Sequence, residues 1–552
     1  MKIILRLFLA FLIFTTYSGC SNKISAESEI FIRVNQLGFL PDDLKTAVIL
    51  SNTNLSGKIF SVIDKKNNMK IFSGRIGNNE GKYGDFNYTY VIDFSKVRNA
   101  GIYFIEVENQ KSYEFKIGSG VYNQLAEYLL EFFKVQRCGY TNPKLHGVCH
   151  IADATSLIIG KNVVNQSVDV TGGWHDAGDY IKFLNTTAYS TYMLLFSYEF
   201  DPSKFSFDNN KNNVADILEE AKIGLDWMLR CHFKKDKLIT QVQDLRDHEV
   251  GWRLPEDDSL QYDRPAFVGI GKNLIGIYTA TMSLAYRIWK DVLNYPEFAN
   301  KCLSSAKELY SIRNNVPNID SSGTGMYLDN NYYGKLALGA VELYLSTGNK
   351  NYLNDSEVYA DSAGSDFWWS WGNINSIVHY RLASIESKFQ KYIFNNLIEF
   401  NKNKSNNLFG EGAELTWGTN VTLLGIALQN ILWRRLTSSN NFDSLEIFQR
   451  DFILGRNPWG VSFIYKIGTN YTKHFHHQIA YIKGELPGGL AAGPATKSFL
   501  LKYNMPVSQK DVYKKFQTDA AIYRDDRMDF ITNEPTITGN ATAIFVFGNL
   551  KN

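Results

Sequence analysis

The chain has 552 residues, more than one small hydrophobic core accommodates, so two domains are expected. Its 58 basic and 56 acidic residues give a net charge of +2, which excludes the charge imbalance typical of partners of nucleic acids or acidic polymers. The 44% of hydrophobic and 21% of charged residues are typical of a soluble globular protein, and the 14% of aromatic residues suits both a sugar-stacking surface and a large core.

The first 20 residues are typical of a signal peptide. Lys2 and Arg6 supply a positive start, and an apolar run of about ten residues follows, which is too short for a stable membrane span. The segment ends in Ser18-Gly19-Cys20, which resembles a bacterial lipobox, and ordinary cleavage near the same point is the alternative. We therefore expect export and lipid anchoring to the bacterial membrane at Cys20, on the periplasmic face or at the cell surface, with residues 21–30 as a tether.

Residues 31–118 change to short runs in which apolar and polar side chains alternate. Clusters of Gly, Asn and Asp separate these runs, as turns between strands require. Such regularly spaced short strands predict a small β-sandwich. The clearest runs are 46–50, 58–64, 88–94 and 101–108.

Residues 122–552 carry apolar side chains at helical spacing, and loops rich in Gly and Asn join the helical stretches. Many amphipathic helices over one long segment predict helix-on-helix packing, and an α/α barrel or toroid would bury all of them. The clearest stretches are 122–138, 215–230, 274–293, 333–348 and 419–436.

The segment 172–180, GGWHDAGDY, is the first candidate site. Asp176 and Asp179 are three residues apart among small residues, so their carboxylates can converge on one water molecule, and glycines allow a substrate or backbone to come close. On spacing alone, an Asp that caps a helix is the alternative.

Two further segments carry polar groups suited to catalysis or binding. Glu534 stands between Asn533 and Pro535 in a loop before a helix, where a glutamate is usually a cap or a surface residue. The segment 474–478, HFHHQ, holds three of the nine histidines, which can bind metal, carry protons, donate hydrogen bonds to sugar hydroxyls or form a plain surface cluster.

Four cysteines follow Cys20, and two of them stand out. Cys138 and Cys149 are eleven residues apart beside His150, which leaves a disulfide of an exported protein and a metal site as alternatives. Cys231 and Cys302 lie in helix-like stretches and are expected to be buried thiols.

Taken together and in order, these segments resemble glycoside hydrolase family 9, from about residue 31 to the C-terminus. Each motif alone is weak, but the ordered combination is specific. The family's GGW-x-DAGD, WGSN, N-P-x-G-x-S, His-His-Arg and N-E-x-x-x-x-x-N-A motifs correspond to residues 172–179, 417–420, 457–462, 476–478 and 533–541. Residues 32–48 are similar to the start of the immunoglobulin-like domain that precedes many family 9 catalytic domains, and residues 132–139 to the entry of the helical barrel.

The resemblance implies a multidomain fold, with an immunoglobulin-like β-sandwich at 31–118 and an all-α (α/α)6 barrel at 122–552. The implied reaction is hydrolysis of β-1,4-glycosidic bonds with inversion, on a β-linked polysaccharide or oligosaccharide such as a β-glucan. Asp179 is then the general base, Asp176 helps to hold the same water, and Glu534 is the general acid with a raised pKa. The expected substrate contacts are His476, His477, Gln478, Trp174 and Tyr180.

The resemblance also implies metal ions but no organic cofactor. Some family members with the immunoglobulin-like module hold a structural zinc ion through two cysteines and two histidines, and the corresponding residues here are Cys138, Cys149, His150 and His175. Family members also often bind calcium in loops, for which Asp216 and Asp247 are loosely matched candidates.

Three segments depart from the family pattern and leave the substrate open. Gln478 replaces the family's arginine, and Tyr333-Gly334-Lys335-Leu336 replaces its Asp-Glu-Leu. Residues 244–268 keep the family's D-H…W…P-E pattern but otherwise follow their own course. An exo-acting β-glucosidase or β-glucosaminidase is therefore an alternative. A non-catalytic surface glycan-binding lipoprotein is another, although the presence of all three carboxylates argues against it.

Overall fold

The computed structural model describes residues 29–324, 327, 329–505 and 510–550. The predicted signal peptide, the lipid site at Cys20 and nearly all of the predicted tether lie outside these residues. In the described part of the chain, no helix combines the length and the apolarity that a membrane crossing requires.

The N-terminal region forms the predicted β-sandwich. One sheet has the strand order β1-β3-β6, and the other has the order β2-β9-β7-β4-β5 with β8 paired to β7. Alternating side chains from both sheets, such as Ile49 and Val62, share one buried core. The strands are β1 (Ile30–Arg33), β2 (Gly38–Phe39), β3 (Thr46–Ser51), β4 (Ile59–Asp64), β5 (Met69–Arg75), β6 (Tyr88–Asp93), β7 (Gly101–Val107), β8 (Gln110–Lys111) and β9 (Phe115–Ile117).

The rest of the chain is mainly helical. The helices are α1 (Leu125–Gln136), α2 (Leu184–Phe200), α3 (Asp216–Cys231), α4 (Lys272–Arg287), α5 (Pro296–Ser311), α6 (Tyr333–Thr347), α7 (Lys350–Ala363), α8 (Asn375–Ala383), α9 (Gln390–Ser405), α10 (Thr419–Thr437), α11 (Asp443–Ile453), α12 (Gln478–Lys483), α13 (Lys497–Lys502), α14 (Phe530–Asn533) and α15 (Ile537–Gly548).

Six of these helices form a closed inner ring, in the order α2, α4, α6, α8, α10 and α15. A second set, α1, α3, α5, α7, α9 and α11, packs around it. The inner helix α15 is buried from Ile537 to Phe547. A helix that is buried on every side must carry apolar side chains, or polar side chains with hydrogen-bond partners, on all of its faces. The outer helix α7 buries only Ser356 and Ala360. The predicted immunoglobulin-like sandwich followed by an (α/α)6 barrel is confirmed.

The structure adds a five-stranded sheet to the predicted all-α domain. Its strand order is β11-β10-β14-β13-β12. Its strands are short apolar or two-residue segments, which periodicity alone cannot distinguish from pieces of buried helix. They are β10 (Ser156–Ile159), β11 (Asn162–Val164), β12 (Lys182–Phe183), β13 (Leu238–Val242) and β14 (Pro265–Gly269). β12 begins three residues after Asp179 and leads directly into α2. The sheet therefore helps to position the segment that carries Asp176 and Asp179.

The sandwich is attached to the barrel by buried polar contacts. The Asn35 amide donates to the Asp451 carboxylate at 2.8 Å and to the Tyr122 hydroxyl at 3.0 Å. The guanidinium of Arg450 is paired with Asp43 at 2.9 Å. Since these groups are buried, separating the two domains would leave charged and polar atoms unpaired, which is costly.

Candidate active site

The loop 172–180 owes its shape to glycine. Gly173 has a left-handed φ of 73°, and a Cβ on Gly178 would lie 2.1 Å from the His476 carbonyl oxygen. Only glycine at 178 therefore lets the 476 segment approach the loop closely. The backbone amide of Gln478 also donates a hydrogen bond to the Gly178 carbonyl oxygen at 3.1 Å, which holds the two segments together.

Asp179 lies at the end of this loop with its side chain 12% exposed. Its Oδ1 accepts a hydrogen bond from the Ile181 amide at 3.1 Å, and its Oδ2 lies 2.8 Å from Nε2 of His248. The hydrogen bond to Asp179 is the main cause that raises the pKa of His248 to about 9. At neutral pH the imidazole of His248 is therefore positively charged. His248 belongs to the D-H pair that residues 244–268 share with the family, but it was not among the predicted site residues.

Asp176 is buried on the same loop. The Thr186 hydroxyl, in the first turn of α2, donates to its Oδ1. Burial raises the pKa of Asp176 to about 7, the charge of Asp179 adds to this rise, and the hydrogen bond from Thr186 opposes it. Asp176 and Asp179 thus belong to one electrostatically linked group.

Glu534 reaches this loop from the other end of the chain. It follows α14, whose last residue, Asn533, accepts a hydrogen bond from the His476 amide at 3.3 Å. Oε1 of Glu534 accepts a hydrogen bond from the backbone amide of Gly178 at 3.3 Å. Burial, and then the charge of Asp179, raise the pKa of Glu534 well above its ordinary value. The structure therefore brings to one loop Asp179, which is paired with a histidine, and Glu534, whose pKa is raised, an arrangement that suits a general base and a general acid.

The predicted substrate contacts Trp174 and Tyr180 are corrected by the structure. Trp174 is fully buried, packs edge-on against Phe133 and donates from Nε1 to Glu220 at 2.8 Å. Tyr180 is also buried, and its hydroxyl donates to the Arg253 carbonyl. Neither ring presents a face to a sugar. Both instead fix the loop that carries the carboxylates.

His477 and Gln478 are also corrected, while His476 stays a candidate. His477 is buried, its Nε2 lies 2.7 Å from Oε1 of Gln136, and its Nδ1 accepts from the Ala480 amide to cap α12. Gln478 is 5% exposed, and its Oε1 accepts from the Arg253 amide at 3.2 Å. His476 is only partly buried and lies edge-on to Trp252 at 5.2 Å.

Arg253 explains why a glutamine suits position 478. Its side chain also donates to Gln478 Oε1 at 3.3 Å, to Asp247 at 2.6 Å and to Asp258 at 2.7 Å. An arginine at 478 would face this guanidinium directly. Asp247 also accepts from the Tyr180 amide at 3.0 Å, so both of its oxygens, the predicted calcium ligands, are bonded to Arg253 and to the loop 172–180.

Cys138, Cys149, His150 and His175 form one fully buried cluster. The two sulfur atoms are 4.0 Å apart, far beyond the about 2.05 Å of a disulfide, and both thiols are free. His150 Nδ1 lies 3.7 Å from Cys138 Sγ and 3.2 Å from His175 Nε2. Zinc bonds of about 2.3 Å to sulfur and about 2.0 Å to nitrogen, directed tetrahedrally, give ligand separations of about 3.8 Å and about 3.3 Å. The donor set therefore fits zinc.

The surroundings of the cluster suit a closed structural site. The outer nitrogen of His150, Nε2, lies 3.0 Å from Asp258, and an outer carboxylate is the usual orienting partner of a metal-bound histidine. His175 immediately precedes Asp176 in the chain, so an ion held here would brace the loop that carries the catalytic carboxylates.

Residues 208–219, which lead into α3, have the residue pattern of a calcium-binding loop. The sequence analysis named only one of them, Asp216, as a possible calcium ligand. Asn213, at the sixth position of this loop, has a left-handed φ of 68°, the conformation for which a calcium loop normally uses glycine. The amides of Asn210 and Asn212 donate to the two carboxylate oxygens of Glu219. The residues at positions 1, 3, 5, 7, 9 and 12 are Asp208, Asn210, Asn212, Val214, Asp216 and Glu219. This is the ligand spacing of an EF-hand loop, and the pattern alone would have revealed it.

Comparison with known proteins gives matches over nearly the whole chain. A family model described as Glycosyl hydrolase family 9 matches residues 122–547, and one described as Cellulase N-terminal ig-like domain matches residues 27–112. Endoglucanase D of Acetivibrio thermocellus is 24% identical over 94% of this chain and 83% of its own length. The xyloglucan-specific endo-beta-1,4-glucanase of Bacteroides ovatus is 25% identical over 96% of this chain and 95% of its own length.

A solved structure has the same fold. The crystal structure of a metagenome-derived endoglucanase superposes with a TM-score of 0.81 and 24% sequence identity, covering 94% of this chain and 98% of that one.

Proposed function

The chain belongs to glycosyl hydrolase family 9, and on that premise we propose that it hydrolyses β-1,4-linked glucans or their oligosaccharides with inversion of the anomeric carbon. It is a glycoside hydrolase. The observation that carries the mechanism is the meeting of two carboxyl groups at one loop: Asp179 lies 2.8 Å from His248, and Glu534, whose pKa is raised, accepts from the Gly178 amide at 3.3 Å.

The proposed reaction uses each carboxyl once. Asp179 removes a proton from a water molecule that attacks the anomeric carbon from one face of the sugar. Glu534, whose pKa is raised well above its ordinary value, donates a proton to the departing glycosidic oxygen on the other face. Asp176, adjacent on the loop, helps to hold the water. Water is consumed, and the C–O bond breaks as the new one forms.

A row of aromatic rings beside the carboxyl groups supports a glycan substrate. Trp252 lies 5.2 Å from His476, His476 lies 5.8 Å from Phe530, and Phe530 lies 5.3 Å from Trp417. Trp417 is 37% exposed and belongs to the WGTN motif. Aromatic faces suit the apolar faces of β-linked sugar rings, so the row offers stacking positions along a chain.

The charge at the site favours an uncharged sugar over an amino sugar. Asp179 already has His248 as its counter-ion. The ammonium group of a glucosamine unit beside the base would meet a like charge, which disfavours binding. The relatives' printed names, endoglucanase D and xyloglucan-specific endo-beta-1,4-glucanase, agree with a neutral glucan.

The proposal is tested by product and substrate analysis of the wild-type protein. Proton NMR in the first minutes of cellotetraose hydrolysis is expected to show the α-anomer first, since inversion of a β-bond gives it directly. We expect kcat/KM on neutral glucan oligomers to exceed that on glucosamine oligomers by at least about tenfold. An initial β-anomer would contradict inversion. Faster cleavage of glucosamine oligomers would favour the amino-sugar alternative, and binding without hydrolysis would favour a glycan-binding lipoprotein.

We also propose that the chain holds a structural zinc ion at the Cys/His cluster and a calcium ion at the loop before α3. Zinc would be held by Cys138, Cys149, His150 and His175, and would supply stability and no catalytic step. Calcium would draw the 208–219 loop onto the first turn of α3 through Glu219.

The two metal sites should be separable by mutation. The purified protein is expected to contain about one zinc per chain, which Cys149→Ser loses along with a large part of the thermal stability. Glu219→Gln should keep the zinc but abolish the rise in Tm on adding calcium, a stabilisation of about 2.7 kcal/mol at 100 times the Kd. Each variant is the control for the other, with metal content measured by mass spectrometry and Tm by calorimetry. A zinc-free wild type, or an unchanged calcium response in Glu219→Gln, would disprove the respective site.

A further inference from the structure

Lys335 is a buried lysine at a place that disfavours a positive charge. It lies in the first turn of α6, at the positive end of the helix dipole, and it is only 1% exposed. A buried ammonium group is costly unless it is paired. In the motif Tyr333-Gly334-Lys335-Leu336 it stands directly before the leucine, where the family's Asp-Glu-Leu has a glutamate of the opposite charge. No step of the proposed reaction uses this lysine, so its partners must indicate what it does.

The ammonium group of Lys335 joins three neighbouring helices of the inner ring. It donates to Oδ2 of Asp329, which is 5% exposed and precedes α6. The same oxygen accepts from the side-chain amide of Asn273, in the first turn of α4, at 3.2 Å. The ammonium also lies 5.1 Å from the centre of the ring of Trp371, in the loop before α8, which is within the range of a cation–π interaction. One positive charge thus ties together the starts of α4, α6 and α8.

Tyr327 connects this cluster with the loop 172–180. Its ring lies edge-on to that of Trp371 at 5.6 Å, and its hydroxyl donates a hydrogen bond to the carboxyl group of Asp176. Its backbone has a left-handed φ of 53°, which is strained for a tyrosine and persists only where the surroundings hold it. Lys335 contributes to this hold in two ways, through the ring of Trp371 and through Asp329, which is two residues further along the chain.

We propose that Lys335 is a positioning residue for the reaction, a cation built into the chain that keeps Tyr327 on Asp176 through Asp329 and Trp371. This inference rests on the proposed function, in which Asp176 helps to hold the attacking water. A misplacement of about 1 Å at a reacting group can lower the rate by about a hundredfold. Loss of the charge should therefore lower kcat, even though Lys335 is buried away from the substrate.

Replacement of Lys335 by glutamate exchanges the built-in cation for a second carboxylate beside that of Asp329. Two buried carboxylates require a cation, and calcium accepts oxygen ligands of this kind. We expect kcat of Lys335→Glu on cellotetraose to fall at least about tenfold in a calcium-selective chelator and to recover at least about fivefold with excess calcium. Lys335→Met should show the same loss without recovery. Both are made in the Glu219→Gln background, so that calcium does not act through the loop 208–219.

Two further measurements distinguish positioning from a general loss of stability. Tyr327→Phe removes the hydroxyl that Lys335 is proposed to hold, so adding Lys335→Met to it should lower kcat by less than about threefold. A destabilised fold would instead lower kcat by the same factor in both backgrounds. Lys497→Met is the matched control. Lys497 also pairs with an aspartate from the first turn of a helix, at 3.0 Å, but it is 52% exposed, so its loss should leave kcat unchanged.

The inference is overturned if folded Lys335→Met keeps the wild-type kcat, or if calcium does not restore Lys335→Glu. Equal losses from Lys335→Met with and without the Tyr327 hydroxyl would also overturn it. Should Lys335→Met fail to fold by circular dichroism, because Asp329 is left unpaired, Lys335→Met combined with Asp329→Asn removes both charges and takes its place. Failure of the proposed function is recognised separately, since Asp179→Asn would then retain activity whatever residue stands at position 335.

Discussion

Replacement of Asp179 by asparagine is expected to lower kcat on cellotetraose by about a hundredfold to ten-thousandfold, the usual contribution of a positioned acid or base. Asparagine has the same shape, and its oxygen can still accept from the Ile181 amide, so the loop should keep its conformation. It cannot take a proton from water near neutral pH. Because the loss concerns the transition state alone, KM should change much less than kcat. Steady-state kinetics with the wild type in parallel measure both constants.

The matched control is Asp525→Asn, which removes a carboxylate that is paired with a histidine elsewhere on the chain. Its kcat should stay close to that of the wild type. If Asp179→Asn retained more than about a tenth of the wild-type kcat while remaining folded, Asp179 would not be the base, and Asp176 would be the next residue to replace.

Replacement of Glu534 by glutamine is expected to lower kcat on cellotetraose by a similar factor, for a different reason. Glutamine can accept the hydrogen bond from the Gly178 amide but has no acidic proton for the departing oxygen. An aryl cellobioside whose leaving group is a weak base needs no such proton. Its hydrolysis by Glu534→Gln should therefore be reduced by less than about tenfold.

The comparison of the two variants assigns the roles. Asp179→Asn should impair hydrolysis of the aryl glycoside and of cellotetraose alike, because both substrates need an activated water. Glu534→Gln should impair only cellotetraose, and its pH profile should lose the descending limb. Equal losses on both substrates in Glu534→Gln would show that Glu534 has a role other than proton donation.

Side-chain periodicity in the sequence was sufficient to predict a β-sandwich followed by packed helices, and the resemblance to family 9 supplied the proposed residues of the site. Side-chain alternation and helical spacing predicted the sandwich and the barrel, since burial on one face imposes these periods. The glycines around Asp176 and Asp179 predicted that these two carboxylates converge, and only the resemblance to family 9 implied that Glu534 joins them. The spacing of residues 208–219 also indicates the proposed calcium loop, of which the sequence analysis predicted only Asp216.

Contacts between distant segments were decided by the tertiary structure alone. Trp174, Tyr180, His477 and Gln478 have the residue types that bind sugars, yet packing against α3, Arg253 and Gln136 buries them. Burial depends on which helices close around a residue, and no local pattern reports that. The sulfur separation that distinguishes a metal cluster from a disulfide likewise requires coordinates.

The sequence by itself, through its periodicity and its resemblance to family 9, determined the fold and named the groups proposed as base, acid and zinc ligands. Only the tertiary structure decided the state in which each group works. His248 comes from a segment 69 residues away from Asp179 and yet supplies its counter-ion. Glu534 owes its raised pKa to burial beside Asp179, 355 positions earlier in the chain. Charge and desolvation act through space, so a group's protonation is set by neighbours that the linear order of residues does not reveal.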